Sequence, residues 1–331
     1  MNDSAFIHFL YELLLHRRAD PEGLAYWKEQ LHSGKTAMQV FTAIQTSPEC
    51  ESKQSKKWLE LETSMPGESL PFYFAHIPKT AGMSVHAFLA SVFPPHDIFP
   101  GWLCDHLKST SVSRLRQYRL FRGHFFGYLQ LLLGSRLRMF TVLRDPVDRS
   151  ISHYYHIRRA SEHPFHQLVA QMSLREFCLH AETRHLVENF QACFLASLAP
   201  LKDLGGSEGD GVSAQTCIEQ LTAQNRKPEW LLDAATVALG SFEAVGTTEN
   251  LDDALIVFSR LLGCNAPPAA YRINSAPERI AAKDIDAETL AIIDELTIVD
   301  RHLHTQAAKN CASLHPQTFQ GALPLSHSAS S

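Results

Sequence analysis

The sequence lacks several features that would assign it to a simple class. Its 331 residues contain seven cysteines, an odd number with no Cys-x-x-Cys pair, which argues against a disulfide framework or a zinc site. No stretch approaches 18 unbroken apolar residues, and the first apolar run, from Phe6 to Leu15, is interrupted by His8 and Glu12. That run therefore reads neither as a signal peptide nor as a membrane span. These absences predict a soluble protein of a reducing compartment, the cytoplasm.

The chain also lacks a large net charge. Its 30 Lys+Arg oppose 35 Asp+Glu, a formal charge of −5, with 18 histidines counted as neutral. This balance argues against a non-specific nucleic-acid-binding protein. The charge is unevenly distributed, because residues 114–159 hold ten arginines and no lysine against Asp145 and Asp148, a local sum of +8. Such a basic segment favours an anionic ligand.

Hydrophobic spacing divides the chain into three predicted parts. Residues 1–64 show helical spacing, with Asp20-Pro21 as one helix start, and predict a small all-α domain. After a Pro-Gly linker at 65–68, residues 68–311 alternate strand-like and helix-like segments. That alternation predicts an α/β domain with a central parallel sheet and helices on its faces. The tail, 312–331, has no core-forming pattern and is predicted to be disordered.

Three strand-then-helix units recur in the α/β part. They are a strand at 70–77 with a helix at 84–93, a strand at 139–143 with a helix at 147–157, and a strand at 244–248 with a helix at 251–262. Ligands of parallel sheets bind at the carboxyl ends of the strands. The loops after 77, 143 and 248 are therefore the predicted site.

The loop after the first strand has the composition of an anion site. It reads His76-Ile77-Pro78-Lys79-Thr80-Ala81-Gly82-Met83-Ser84 and opens directly into a helix. Backbone amides at a helix N-terminus attract an anion, and Lys79 adds a full positive charge. The loop is not a Walker A motif, since Gly-x-x-x-x-Gly-Lys-Ser/Thr is absent. Taken alone, the pattern fits an anion site or a strand-to-helix turn that contains a lysine.

A second cationic motif follows the second strand. Arg144 directly follows Leu143, and Ser152 comes eight residues later, two helical turns along. Arginine offers a bidentate fork for a phosphate dianion, and serine offers a further donor. Two anion sites on neighbouring strand ends suit a nucleotide with phosphates at both ends.

Both motifs, in this order, resemble those of the carbohydrate sulfotransferase family that uses 3′-phosphoadenosine 5′-phosphosulfate (PAPS). The likeness is nearest to the heparan-sulfate 2-O type and its bacterial relatives. The segments 122–125 (Arg-Gly-His-Phe), 188–191 (Glu-Asn-Phe-Gln) and 245–249 (Val-Gly-Thr-Thr-Glu) support it. The resemblance implies a P-loop-like three-layer sandwich. It also implies an enzyme that transfers the sulfuryl group of PAPS to a hydroxyl of a carbohydrate or glycolipid, without a metal ion.

The resemblance further implies residue roles. Lys79 stabilises the leaving phosphate, the residues from Thr80 to Ser84 hold the 5′-phosphosulfate, and Arg144 and Ser152 bind the 3′-phosphate. His124, which follows a strand-like run and Gly123, falls where related enzymes place the general base. An imidazole that titrates near neutrality suits that task.

One position departs from the family pattern, because Met83 stands where a hydroxyl residue is usual. Two alternatives stay open: a P-loop small-molecule kinase, which the missing Walker A sequence disfavours, and a non-catalytic glycan-binding or scaffold protein that retains the fold, which Met83 favours. Arg272 and Arg279, in a later loop, are weaker candidates for contacts with the 3′-phosphate.

The N-terminal part resembles a short helical domain of unknown function, DUF4214, seen in phycobilisome-linker-like and bacterial surface proteins. The matching residues are Phe6, Leu10, Tyr11, Leu14 and Leu15, then Asp20, Pro21, Gly23, Leu24, Tyr26 and Trp27, then Ser47, Pro48 and Glu49. The resemblance implies no chemistry. A helical module of this kind suggests a docking role toward a protein partner.

Overall fold

A computed structural model describes most of the chain. The described residues are 3–15, 17–35, 39–40, 43–44, 47–50, 70–133, 137–198, 228–264 and 284–313. Outside these ranges lie the predicted linker at 65–68, Arg272, Arg279, and the predicted tail from residue 314 onward.

A four-stranded parallel sheet forms the centre of the described fold. Its strands are β1 (Phe72–Ala75), β2 (Leu120–Gly123), β3 (Arg138–Leu143) and β4 (Phe242–Thr247), in the spatial order β2-β1-β3-β4. All neighbouring pairs are parallel, so the four carboxyl ends meet at one edge of the sheet. The strands predicted at 70–77, 139–143 and 244–248 correspond to β1, β3 and β4, which confirms the α/β class.

Two of the described helices come before β1 in the chain, and helices follow each of the four strands. In chain order they are α1 (Asp3–Leu15), α2 (Pro21–His32), α3 (Gly82–Val92), α4 (Cys104–Lys108), α5 (Val112–Leu115), α6 (Tyr128–Leu133), α7 (Pro146–Arg159), α8 (His166–Val169), α9 (Leu174–Leu179), α10 (Phe190–Ala196), α11 (Pro228–Leu239), α12 (Leu251–Leu262), α13 (Ala287–Leu296) and α14 (Ile298–Ser313). None of the helices within the described ranges is long and apolar enough to cross a membrane.

Alternating residues of the strands build two apolar layers. Phe72 and Phe74 of β1 face a cluster covered by α3 and α12. Tyr73 and Ala75 face a second cluster, covered by helices that include α6, α10, α11 and α14. Successive side chains of a strand point to opposite faces, and all four residues of β1 are buried, so the sheet is covered on both sides. The described fold is thus helix, sheet and helix in three layers.

The N-terminal helices share the first of these layers. Phe6, Ile7 and Leu10 of α1 are buried in the same cluster as Val85 and Phe88 of α3. Helix α2 starts with its predicted cap, because the Asp20 carboxylate accepts the N–H of Gly23 at 2.7 Å. One face of α1 therefore packs within the chain.

Local sequence fixes where α7 starts relative to Arg144. The side chain of Asp145 accepts the N–H of Asp148 at 3.0 Å, and Pro146 occupies the first helical position. Strand β3 ends at Leu143, so only the Arg144–Asp145 dipeptide joins strand to helix. This short connection holds Arg144 at the carboxyl edge of the sheet.

Candidate functional site

The loop after β1 makes a sharp turn into α3. Lys79 and Ala81 both adopt left-handed backbone conformations, with φ of 72° and 60°. The buried hydroxyl of Thr80 donates to the carbonyl of Ile77 at 2.8 Å, which closes the turn. The side chain of Thr80 therefore stabilises the loop, and Thr80 can offer a ligand only its backbone. The turn brings the amino end of α3, where the helix dipole favours an anion, to the edge where the strands end.

Gly82 is required by a close approach inside this loop. A Cβ at this position would lie 1.7 Å from Nε2 of His76. The ring of His76 also lies 4.5 Å from the ring of His124, measured between centroids. His76 thus packs beside the loop, between α3 and the end of β2.

Arg144 joins the loop after β3 to the loop after β1. Its Nη1 donates to the carbonyl of Lys79 at 3.1 Å, and its Nη2 lies 3.9 Å from Oδ2 of Asp148. The guanidinium is largely shielded, since 17% of the Arg144 side chain is exposed. The guanidinium of Arg144 therefore lies against the backbone of the loop that carries Lys79, so the two predicted motifs are in contact at the edge of the sheet.

His124 lies directly after β2, on the other side of β1. Its Nδ1 is 2.5 Å from the carbonyl oxygen of His76. A carbonyl only accepts, so Nδ1 carries the proton and Nε2 of the neutral ring keeps its lone pair. Burial lowers the pKa of His124 to about 4; the His76 carbonyl opposes this shift, and the charge of Lys79 adds to it. Near neutral pH, His124 is thus a neutral imidazole, with a pKa well below the near-neutral value expected from the sequence.

The charge of Lys79 also acts on three further histidines, His153, His156 and His163. On α7 and the turn after it, the ring centroids of His156 and His163 lie 6.1 Å apart, and those of His153 and His163 lie 6.5 Å apart. Burial first, and then the charge of Lys79, lowers the pKa of His156 to about 3. These imidazole rings are therefore uncharged at neutral pH, and Lys79 carries the positive charge that acts on them. Within the described residues, no group of three or more His, Cys, Asp or Glu side chains could hold a metal ion.

Three of the predicted ligand residues, Ser84, Ser152 and Met83, are buried or half-buried. Ser84 is buried, and Ser152 is half-buried on α7. Met83 is half-buried and packs against the apolar cluster that α1 and α3 share. An apolar side chain at position 83 therefore has a packing role in this fold.

Several residues that hold the site had no predicted role. The side chain of Gln191 bonds both the N–H and the carbonyl of Arg144. Glu249 accepts the N–H of Asp145 at 3.2 Å and contacts His304 at 2.9 Å. Burial raises the pKa of Glu249, but hydrogen bonds from His304 and its neighbours outweigh it and lower the pKa to about 2. Gln191 and Glu249 fall in the supporting segments 188–191 and 245–249, whereas nothing in the sequence near His304 indicated a contact.

The arginines of the basic segment are dispersed by folding. Arg122 and Arg149 are buried, and Arg138 forms an ion pair with Glu243 at 2.8 Å. Burial lowers the pKa of Arg122 to about 9. Part of this positive charge therefore lies inside the fold, whereas Arg144 contacts the loop of Lys79.

Comparisons with known proteins concern the N-terminal part. A family described as a domain of unknown function (DUF4214) matches residues 1–54. This match confirms the predicted resemblance for 54 of the 331 residues. No curated protein matches the chain. The function of the α/β part therefore rests on its own residues and their geometry.

Proposed function

We propose that the chain is a PAPS-dependent sulfotransferase with a P-loop-like α/β domain, acting on a hydroxyl of a carbohydrate or glycolipid. The contact between Arg144 Nη1 and the carbonyl of Lys79, at 3.1 Å, carries this proposal. It joins two cationic loops at the carboxyl ends of neighbouring strands. A nucleotide with a phosphate on each side of its ribose needs two such anion sites a short distance apart.

The loop after β1 suits the 5′ end of the nucleotide. The amino end of α3 offers backbone amides and the positive end of the helix dipole, and Lys79 adds a unit charge. Lys79 is close enough to His124 and His156 to lower the pKa of both rings. Its charge thus acts on the ring of the proposed base, and in the proposed reaction it compensates the negative charge that develops on the leaving phosphate oxygen.

The step itself is an in-line displacement at sulfur. The acceptor hydroxyl oxygen forms a bond to sulfur, and the bond between sulfur and the bridging oxygen of the 5′-phosphate breaks. Nε2 of His124 takes the proton of the hydroxyl, and adenosine 3′,5′-bisphosphate leaves with the electron pair of the broken bond. Lys79 compensates the new charge on that oxygen, as cations do in phosphoryl transfer.

A bound anion is also expected to raise the pKa of His124. The charge of Lys79 contributes to holding the pKa of this ring near 4. Negative phosphate oxygens beside Lys79 offset that charge and raise the pKa of His124 toward the range in which an imidazole accepts a proton well. The base thus becomes more effective when the sulfuryl donor is in place.

Nucleotide binding tests the proposal. Calorimetric titration should show binding of adenosine 3′,5′-bisphosphate to the full chain, weaker binding of ATP, and at least a tenfold loss of bisphosphate affinity in Arg144→Ala, because a charge-assisted bidentate pair is removed. Arg158→Ala, an exposed arginine at the far end of α7, is the matched control and should bind as the original chain does. Tighter binding of ATP would favour the kinase alternative.

A further inference from the structure

Arg144 is held through its own peptide groups by one glutamine. Oε1 of Gln191 accepts the N–H of Arg144 at 3.0 Å, and Nε2 of Gln191 donates to its carbonyl at 2.9 Å. Both backbone groups that flank the Arg144 Cα are therefore tied to one side chain, 47 residues further along the chain. Gln191 is 1% exposed, so these bonds are shielded from water.

Gln191 is in turn held by α14. The fully buried carboxylate of Asp300 accepts the N–H of Gln191 at 3.1 Å and that of Ala192 at 2.7 Å, which caps the start of α10. Asn189, just before α10, accepts the N–H of Val299 at 2.9 Å through its side chain. These bonds fix the backbone of Gln191 at the same place where its side chain meets Arg144.

Helix α14 also holds Asp145, the residue after Arg144. Glu249 accepts the N–H of Asp145 at 3.2 Å, and its other oxygen lies 2.9 Å from Nε2 of His304. Nη1 of Arg301 lies 3.8 Å from Oδ2 of Asp145. Three residues of α14 thus act on this loop: Asp300 through Gln191, His304 through Glu249, and Arg301 directly.

We infer that Gln191, anchored by α14, is a positioning residue that aims the Arg144 guanidinium at the 3′-phosphate and so sets selectivity for nucleotides that carry one. The inference rests on the proposed function, which supplies the 3′-phosphate. A side chain whose backbone is already fixed loses less conformational freedom on binding, so its contact contributes more to affinity. The selectivity for the 3′-phosphate, rather than the affinity for the nucleotide as a whole, is then the property that Gln191 controls.

The test compares two ligands and two matched variants. Calorimetry measures the affinity of the full chain for adenosine 3′,5′-bisphosphate and for adenosine 5′-monophosphate, which lacks the 3′-phosphate. Gln191→Met keeps the volume and removes both hydrogen bonds. Gln130→Met makes the same change in a half-buried glutamine on α6 that contacts Met139, near the amino end of β3.

The original chain and Gln130→Met are expected to favour the bisphosphate by at least about tenfold, while Gln191→Met loses about tenfold of this preference and keeps its monophosphate affinity within about threefold. A Gln191→Met protein with the full preference would overturn the inference and leave the proposed function standing. An original chain that does not distinguish the two ligands would overturn both.

A milder substitution guards against a folding failure. Gln191→Asn keeps the amide but is one methylene shorter, so it cannot span both the N–H and the carbonyl of Arg144. It should lose most of the preference for the bisphosphate while unfolding at a temperature close to that of the original chain. If Gln191→Met does not fold, an unchanged preference in Gln191→Asn overturns the inference.

Discussion

At the scale of single residues, the fold determines the tautomer and the pKa of His124, which the sequence alone does not indicate. The sequence shows that His124 follows Gly123, but the contact of its Nδ1 with the His76 carbonyl joins residues 48 positions apart. That contact selects the tautomer with a free Nε2, and burial then lowers the pKa. Neither effect leaves a local pattern, so the sequence supports the expectation of a base without indicating its tautomer or its strength.

The ionisation of His124 gives the first prediction. Because its pKa is lowered to about 4, the ring should stay neutral in the free protein as the pH falls from 8 to 5.5. Adenosine 3′,5′-bisphosphate should raise the pKa of His124, since the anion offsets the charge of Lys79. Lys79→Met should also raise it in the free protein. Imidazole NMR signals followed against pH measure this, and the spectrum of His124→Gln identifies the signal; half-titration near pH 6.5 without ligand would contradict the account.

At the scale of elements, the strands were predictable where apolar residues run together. Strands β1 and β3 are buried on both faces, so a run such as Phe-Tyr-Phe-Ala marks them without alternation. The start of α7 follows from Asp145-Pro146. Strand β2 was indicated only as a strand-like run, because it contains Arg122, which is buried and donates to the carbonyl of His86 at 3.0 Å.

The parts that could not be predicted depend on long-range pairing. Gln191 meets Arg144 across 47 residues, and Asp300 meets Gln191 across 109. The segments 188–191 and 245–249 supported a family resemblance, but the resemblance assigned them no structural role. In the fold, Gln191 and Glu249 of these segments bind the backbone of Arg144 and Asp145, because α10 and α14 lie beside the end of β3.

The turn into α3 gives a prediction at this scale. Gly82→Ala places a Cβ where Nε2 of His76 now lies, so the ring and the loop must shift. Overpacking of this kind costs about 1–3 kcal/mol of the free energy of unfolding. Nucleotide affinity should fall as well, because the amino end of α3 moves away from its place beside Lys79. Denaturant unfolding and calorimetry measure the two effects.

Gly240→Ala is the matched control for this substitution. A Cβ there would lie 3.3 Å from the nearest atom, the carbonyl oxygen of Val237, so a small adjustment suffices. We expect its free energy of unfolding to stay within about 0.5 kcal/mol and its nucleotide affinity to be unchanged. If Gly82→Ala behaves like this control, the close approach of His76 does not constrain the loop.

At the scale of the whole molecule, folding buries part of the basic segment and packs α1 against the helices that cover the sheet. The +8 of residues 114–159 favoured an anionic ligand, yet Arg122 and Arg149 are buried inside the fold. The N-terminal helices, expected as a docking module, bury Phe6, Ile7 and Leu10 in the cluster that α3 helps to form. The apolar stripe of α1 can be recognised in the sequence, and in the fold part of this stripe packs against residues of α3.

The role of α1 in the common core gives a third prediction. Leu10→Ala should lower the free energy of unfolding by about 2–5 kcal/mol, as expected for a fully buried leucine. Tyr26→Ala on α2, where the side chain is 51% exposed, should change it by no more than about 0.5 kcal/mol. Thermal and denaturant unfolding of the full chain measure both. If Leu10→Ala leaves the unfolding of the sheet unchanged, α1 does not belong to its core.

The central claim is sulfuryl transfer, and one measurement tests it most directly. The full chain is incubated with PAPS labelled with radioactive sulfate and with glycans and lipids extracted from the source organism, and labelled products are separated. The account predicts label in a carbohydrate or glycolipid with the original chain. It predicts none with His124→Ala, whose affinity for adenosine 3′,5′-bisphosphate stays within a few-fold because this residue takes a proton and does not hold the nucleotide. Absence of labelled product with the folded original chain, or equal labelling by His124→Ala, would contradict it.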